Sequence, residues 1–182
     1  MPGTPAKIRT ATLHDAHAIA RVQVETWRSA YRGIVSDQFL DAFSVEERTI
    51  RWQELLQPSE QVAFVADIEG PGVVGFARGG MERSGRADFR GELYGLYVLP
   101  SWHGTGIGKS LVVTLACWLT DHSIPSMLVW TLSANPFRRF YEHLGGTLIA
   151  ERTIPIGGDH LGEVAYGWAD VSLLTQESEF PI

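Results

Sequence analysis

The chain has 182 residues and a single cysteine, Cys117. One thiol excludes an internal disulfide and a thiolate zinc cluster, and a reducing cytoplasm is the simplest compartment for it. Positive charge is also short: 15 Lys and Arg stand against 21 Asp and Glu, a formal net charge of −6. Nucleic-acid binding relies on a basic field, so that partner is not expected, and the acidic balance leans toward a cationic small substrate. No apolar run reaches the roughly 18 residues of a membrane span. The opening MPGTPAKIRT has no apolar signal-peptide stretch. The expectation is a cytoplasmic protein with no membrane partner. Its six histidines (His14, His17, His103, His122, His143 and His160) show no H-x-x-x-H spacing or carboxylate grouping, so no metal is expected. Internal repeats, low-complexity tracts and linker-like stretches are missing too.

What is present is ordinary for one globular domain: 45% hydrophobic and 20% charged residues, enough to bury a sizeable core. Residues 1–6, with two prolines and a glycine, read as a disordered lead-in, and 7–182 as a single domain. Ile8 to Thr10 suits a short strand. Ile19, Val22, Trp27 and Ala30 then recur at helical spacing until Gly33. Ser44, with Glu47 three residues on, starts a second helix that Pro58 stops. The period then changes. QVAFVAD (61–67) and VVGFAR (73–78), joined by EGPG, read as a hairpin. RSGRADFR (83–90) is a loop, and GELYGLYVL (91–99) a third strand ending at Pro100. A strong helix carries Ile107, Leu111, Leu115 and Trp118 on one side. MLVWTL (127–132) is a buried strand, 136–144 a short helix closed by Gly145 and Gly146, and two strands near 147–154 and 162–169 finish the chain. An early antiparallel meander followed by alternating elements predicts an α/β (α+β) fold. Its mixed, mostly antiparallel sheet has about seven strands, with helices on both faces.

The most informative segment is WHGTGIGKSL, 102–111, between a strand and a helix. Glycines at 104, 106 and 108 let a ligand approach the backbone, and a helix N-terminus adds a positive dipole end, so the turn suits an anion such as a phosphate. Gly108-Lys109-Ser110 fit a P-loop, but His103 stands where its first glycine is needed. The spacing G-x-G-x-G also departs from the dinucleotide fingerprint. A bare strand-to-helix turn without ligand is a further reading.

Strand, Pro100, His103-Gly104-Thr105-Gly106-Ile107-Gly108 and an amphipathic helix together resemble the acetyl-CoA motif of the GNAT (N-acetyltransferase) superfamily, [QR]-x-x-G-x-[GA]. Gly106 and Gly108 fall on its two small positions, and His103 departs from Gln or Arg. The resemblance runs from about Ile8 to Trp168, and it implies the GNAT fold and transfer of an acetyl group from acetyl-CoA to an amine. The implied cofactor residues are Leu96, Tyr97 and Val98 on the strand and His103, Gly104, Thr105, Gly106, Ile107, Gly108, Lys109 and Ser110 in the turn. VWTLSANPFRRFYEHLGG resembles a later family motif, which implies Asn135 as a pantetheine contact and Tyr141 as an acid near the sulfur. The usual spacing would put Ala134 at the amide position.

Acetyl transfer to an amine needs a neutral nucleophile, so a base is useful. Glu92 lies six residues before Val98 on the same strand, which by simple alternation gives both the same facing. It is the candidate base, with solvent exposure or pairing to Arg78 or Arg90 as the alternative. Trp27, Tyr31 and Arg32 at the end of the first helix, with Glu163 on the last strand, are the candidate acceptor-binding residues. TWRSAYRGIVSDQFL resembles small bacterial GNAT proteins, some acting on polyamines or other small amines, which implies a small-molecule amine substrate. Edge strands at the end of the sheet offer a surface for a homodimer. Alternatives are a catalytically silent acyl-CoA-binding module and a nucleotide-binding module built on GTGIGKS.

Overall fold

The computed structural model describes residues 6–176. Positions 1–5 of the expected lead-in lie outside the described residues, and Ala6 already packs against the core. Among the described residues seven strands form one sheet: β1 (Lys7–Thr10), β2 (Gln61–Ile68), β3 (Gly72–Met81), β4 (Gly91–Val98), β5 (Met127–Leu132), β6 (Thr147–Ile156) and β7 (Asp159–Trp168). Their order across the sheet is β1-β2-β3-β4-β5-β7-β6, and every pairing is antiparallel except β4 with β5. The mixed sheet is the expected one.

Among the described residues six α-helices accompany it: α1 (Ala16–Ala30), α2 (Asp37–Ala42), α3 (Val45–Leu55), α4 (Ile107–Asp121), α5 (Arg139–His143) and α6 (Leu173–Gln176). Neither α2 nor α6 was expected. The signal for α2 is local: Ser36 accepts the Phe39 N–H as N-cap, at 3.4 Å, and Asp37 adds a negative charge to the first turn. The predicted cap of α3 is present, with Ser44 Oγ accepting the Glu47 N–H at 3.2 Å.

Alternation assigns the faces. Phe76 on β3 packs on Trp52 of α3, with ring centroids 5.0 Å apart. Gly79, three residues on, turns to the opposite face, where an added Cβ would lie 2.6 Å from Leu115 of α4. Helix α4 therefore sits so close to β3 that glycine alone fits there. Two apolar clusters result. The larger joins α1, α3 and α4 to the sheet; the smaller unites Tyr31, Val35, Leu40 and Leu132 with side chains of the β6–β7 hairpin.

Two irregularities in β4 bear on the cleft beside it. Arg78 pairs with Gly95 but Gly79 pairs with Leu93, which leaves Tyr94 as the extra residue of a β-bulge. On its other edge β4 pairs with β5 over only three positions, Gly91↔Met127, Glu92↔Leu128 and Leu93↔Val129. Beyond them the two strands part, and β5 continues against β7.

Candidate active site

The parting of β4 and β5 opens a cleft of about 350 Å³ at the end of α4. One side carries Leu96, Tyr97 and Val98 of β4; the other carries Asn135, Phe137 and Tyr141 from the segment after β5. The glycine turn closes one end and Tyr31 of α1 lies along the wall. Gly104 and Gly106 have φ of 76° and 84°, the left-handed region, and a Cβ on either would meet nothing within 4 Å. These glycines are therefore required by conformation and not by crowding. Gly106 caps α4, and Gly106, Ile107 and Gly108 line the cleft, so the positive end of that helix opens on it. A turn of this shape fits an anionic group such as a diphosphate.

Thr105 and Ser110 lie outside the cleft lining, because their hydroxyls turn back to the main chain. Thr105 Oγ1 donates to the Trp102 carbonyl at 2.7 Å and Ser110 Oγ to that of Gly106 at 3.2 Å. Lys109 does line the cleft. His103 Nε2 donates to the Val98 carbonyl at 2.8 Å, a contact that requires the proton on that nitrogen since a carbonyl only accepts. The His103 ring meets Phe137 edge-on at 4.8 Å, so residues from the two sides touch across the mouth. Phe137, Phe140, Trp102 and Thr26 also line the cleft and were not expected. The aromatic run around NPFRRFY was the available signal.

Asn135 reaches the cleft, but its side chain is engaged: Nδ2 donates to Thr131 Oγ1 at 2.8 Å and to the Tyr31 hydroxyl at 3.2 Å, while Oδ1 accepts the Phe137 N–H at 2.9 Å. The Tyr141 side chain is buried against Phe140, Tyr166 and Trp168, with its ring facing the cleft. Burial pushes the phenols of Tyr141, Tyr31 and Tyr97 up from their ordinary range, so all three stay protonated at neutral pH.

The bulge corrects one geometric expectation. An extra residue between Leu93 and Gly95 reverses the alternation, so Glu92 shares the face of Tyr97 and not that of Val98. It turns toward the α1 side of the sheet and does not line the cleft between the strands. Its carboxylate is buried and bound by Arg83 instead of Arg78 or Arg90. Gly95 inside an apolar strand was the overlooked sign of a bulge.

On that same face lie Trp130 and Glu163. Glu163 pairs with Arg152 at 2.8 Å, and the Arg152 guanidinium stacks 3.8 Å above the Trp130 ring. Trp27 stands behind the cleft wall, its Nε1–H donating to the Tyr97 hydroxyl at 3.2 Å and its ring edge-on to Tyr31 at 4.9 Å. Arg32 departs from its expected place. Its guanidinium is held on the surface by Asp37 and Asp41 at 3.0 and 3.2 Å, because the unforeseen α2 supplies both carboxylates. Among the described residues, no three His, Cys, Asp or Glu side chains are grouped to hold a metal ion, and no helix is long and apolar enough to cross a membrane.

The chain matches the model of the acetyltransferase (GNAT) family over residues 24–146. It is 35% identical over 167 residues to the uncharacterised N-acetyltransferase YuaI of Bacillus subtilis, covering 92% of this chain and 95% of that one. Among solved structures, a GCN5-related N-acetyltransferase from Rhodopseudomonas palustris superposes with a TM-score of 0.71 at 20% identity, over 92% and 97% of the two chains. The acetyltransferase-like YncA of Salmonella typhimurium, solved with acetyl-CoA, gives 0.65 at 22% identity, over 91% and 94%. A sheet that opens between β4 and β5, beside a glycine turn at a helix start and within these matches, makes this chain a member of the GNAT family and an acetyl-CoA-dependent N-acyltransferase.

Proposed function

We propose that the protein transfers the acetyl group of acetyl-CoA to a primary amine of a small molecule, by direct attack while both substrates are bound. The observation that carries this reading is the junction of two spaces. The cleft between β4 and β5 is bordered by an unpaired strand edge and an anion-binding turn, and the Tyr97 face next to it is lined by carboxylates and aromatic rings.

Acetyl-CoA supplies an activated carbonyl whose thiolate can leave. Main-chain N–H groups spanning Gly104 to Gly108 hold its diphosphate, and the edge of β4 at Leu96 and Val98, which no strand among the described residues covers and where only the Val98 carbonyl is taken, by His103, aligns its arm. The residues must then handle two protons. An alkylammonium with a pKa near 10.4 is mostly charged at pH 7, a handicap of roughly 4.6 kcal/mol, so the attacking nitrogen must lose a proton. Glu92 takes that proton, directly or through a water, before the nitrogen attacks; once the N–C bond has formed, the second nitrogen proton passes to bulk water. The C–S bond breaks and its electron pair leaves on sulfur. Tyr141, a buried phenol held neutral, donates a hydrogen bond to the departing thiolate, which needs little more because a thiol pKa is roughly 8.5.

A screen of primary amines for acetyl-CoA-dependent thiol release tests the reading, with Glu92→Gln expected to lower turnover about ten-fold or more. Tight coenzyme A binding with no release for any amine would leave the acyl-CoA-binding module in its place.

A further inference from the structure

Glu92 receives three hydrogen bonds, and all come from one loop residue that carries no motif of its own. Arg83 Nη2 donates to Oε1 at 2.8 Å; Arg83 Nε donates to Oε2 at 3.2 Å; the Arg83 backbone N–H donates to Oε2 at 3.0 Å. The Glu92 side chain is 7% exposed, while that of Arg83 is 49% exposed, so a loop residue reaches in to a buried strand carboxylate. A carboxylate has about four lone-pair sites. Three are occupied, and the one left is on Oε1. The arrangement leaves a single direction in which Glu92 can accept a proton.

The guanidinium is itself fixed. It lies 3.4 Å from the centroid of the Tyr94 ring, within stacking distance, and Tyr94 is the residue that the β-bulge inserts. The Tyr94 hydroxyl donates to the Met81 carbonyl at 2.7 Å, and Gly80 makes room for it, since a Cβ there would lie 2.8 Å from that oxygen. Arg78 sits 5.0 Å from the same ring centroid; burial pushes its guanidinium down to about 10, still cationic at neutral pH. Ser84, the next residue after Arg83, accepts the Trp130 Nε1–H at 3.2 Å and so ties the loop to the same face.

We infer that Arg83 is a positioning residue for acetyl transfer: its planar fork, stacked on Tyr94, aims the Glu92 carboxylate at the acceptor amine. The inference rests on Glu92 being the base. A loop staple with no catalytic part would show the same contacts, but it would not show the same kinetics. A proton acceptor displaced by about 1 Å can cost roughly 100-fold in rate, and a residue that acts only through Glu92 has no effect once Glu92 is gone.

The experiment uses the full chain, saturating acetyl-CoA and the best amine from the screen, and compares Arg83→Met, Arg83→Lys, Glu92→Gln and the double variant Arg83→Met/Glu92→Gln. Arg83→Met is expected to lower kcat about ten-fold with the KM for acetyl-CoA unchanged, and Arg83→Lys, which keeps the charge but not the fork, to fall between it and wild type. The double variant is expected to turn over within about two-fold of Glu92→Gln. Equal losses from Arg83→Met in both backgrounds would overturn the inference, as would Arg83→Met at wild-type kcat beside a slow Glu92→Gln. Full activity of Glu92→Gln would remove the base itself and the inference with it. If Arg83→Met does not fold, Tyr94→Leu takes its place, removing the stacking platform while leaving the charge. It is expected to lower kcat in the wild-type background only; equal losses in both backgrounds would overturn the inference.

Discussion

Substituting Gly106 by alanine separates the two things that this glycine does. The residue has φ of 84° and open space around its missing Cβ, so the added methyl meets no atom within 4 Å. Its cost is therefore conformational: about 1–2 kcal/mol for an L-residue in the left-handed region. For a chain of this size that lowers Tm by roughly 2–8 °C. The functional cost is additional. If the turn relaxes toward negative φ, the Ile107 and Gly108 amides rotate away from the diphosphate. Losing one charge-assisted hydrogen bond, worth roughly 1.5–3 kcal/mol, weakens binding about 10- to 100-fold. Gly85 provides the control, because it also has positive φ, 80°, and an open Cβ direction, yet it lies in the loop beside Arg83 and does not line the cleft. Calorimetric titration with free coenzyme A should find Gly106→Ala weakened and Gly85→Ala unchanged, with both variants losing similar thermal stability. Wild-type affinity in Gly106→Ala, or equal weakening in Gly85→Ala, would refute the assignment of the turn to the diphosphate.

Tyr141→Phe should retain coenzyme A affinity and lose turnover by about ten-fold or more, because it removes only the hydroxyl proposed as donor to the leaving sulfur; unchanged thiol release would place that role elsewhere. Asp15 ties the start of the chain together, accepting Arg9 at 2.8 and 2.9 Å and the Thr12 N–H at 2.7 Å. The Arg9 guanidinium above all, opposed by burial and helped by Thr12, holds its carboxyl down to about 2 from 3.8. A depressed carboxylate pKa stabilises the fold above the unfolded value. Roughly 2 kcal/mol should therefore be lost as pH falls from about 4 toward 2, and Asp15→Asn should flatten that limb in urea titrations. The raised phenols of Tyr31 and Tyr141 act with the opposite sign. Their stabilisation is present below the unfolded value near 10 and lost as pH rises above it, so a double Phe variant should blunt alkaline unfolding.

The elements with strong local signals were readable from the chain: the hairpin at 61–81, the glycine turn and α4 each carry a period or a cap that decides them. The face that Glu92 presents was not, because alternation counts residues and a bulge adds one without changing the hydrophobic pattern around it. The Arg32 expectation failed for a related reason. Six residues were enough to make α2, and its two carboxylates redirected a side chain that lies just past the end of α1. Arg83 lay in a stretch legible only as loop. Its meaning depends on Tyr94 and Glu92, which become neighbours only after β3 and β4 pair.

The smaller apolar cluster has a consequence for how the proposed acceptor wall could be altered. The wall built by the end of α1, by α2 and by the β6–β7 hairpin is packed around Tyr31, Val35, Leu40 and Leu132, apart from the larger cluster under the glycine turn. Gly157 at the hairpin tip presses on Phe39 of α2, where a Cβ would come within 2.7 Å. Ser36 Oγ donates to the Gly157 carbonyl at 3.4 Å beside it, so hairpin and helix are latched there. Lengthening the tip, or trading its contacts with α2, refashions that wall as one piece without touching the glycine turn, and reaches the cleft only through Tyr31.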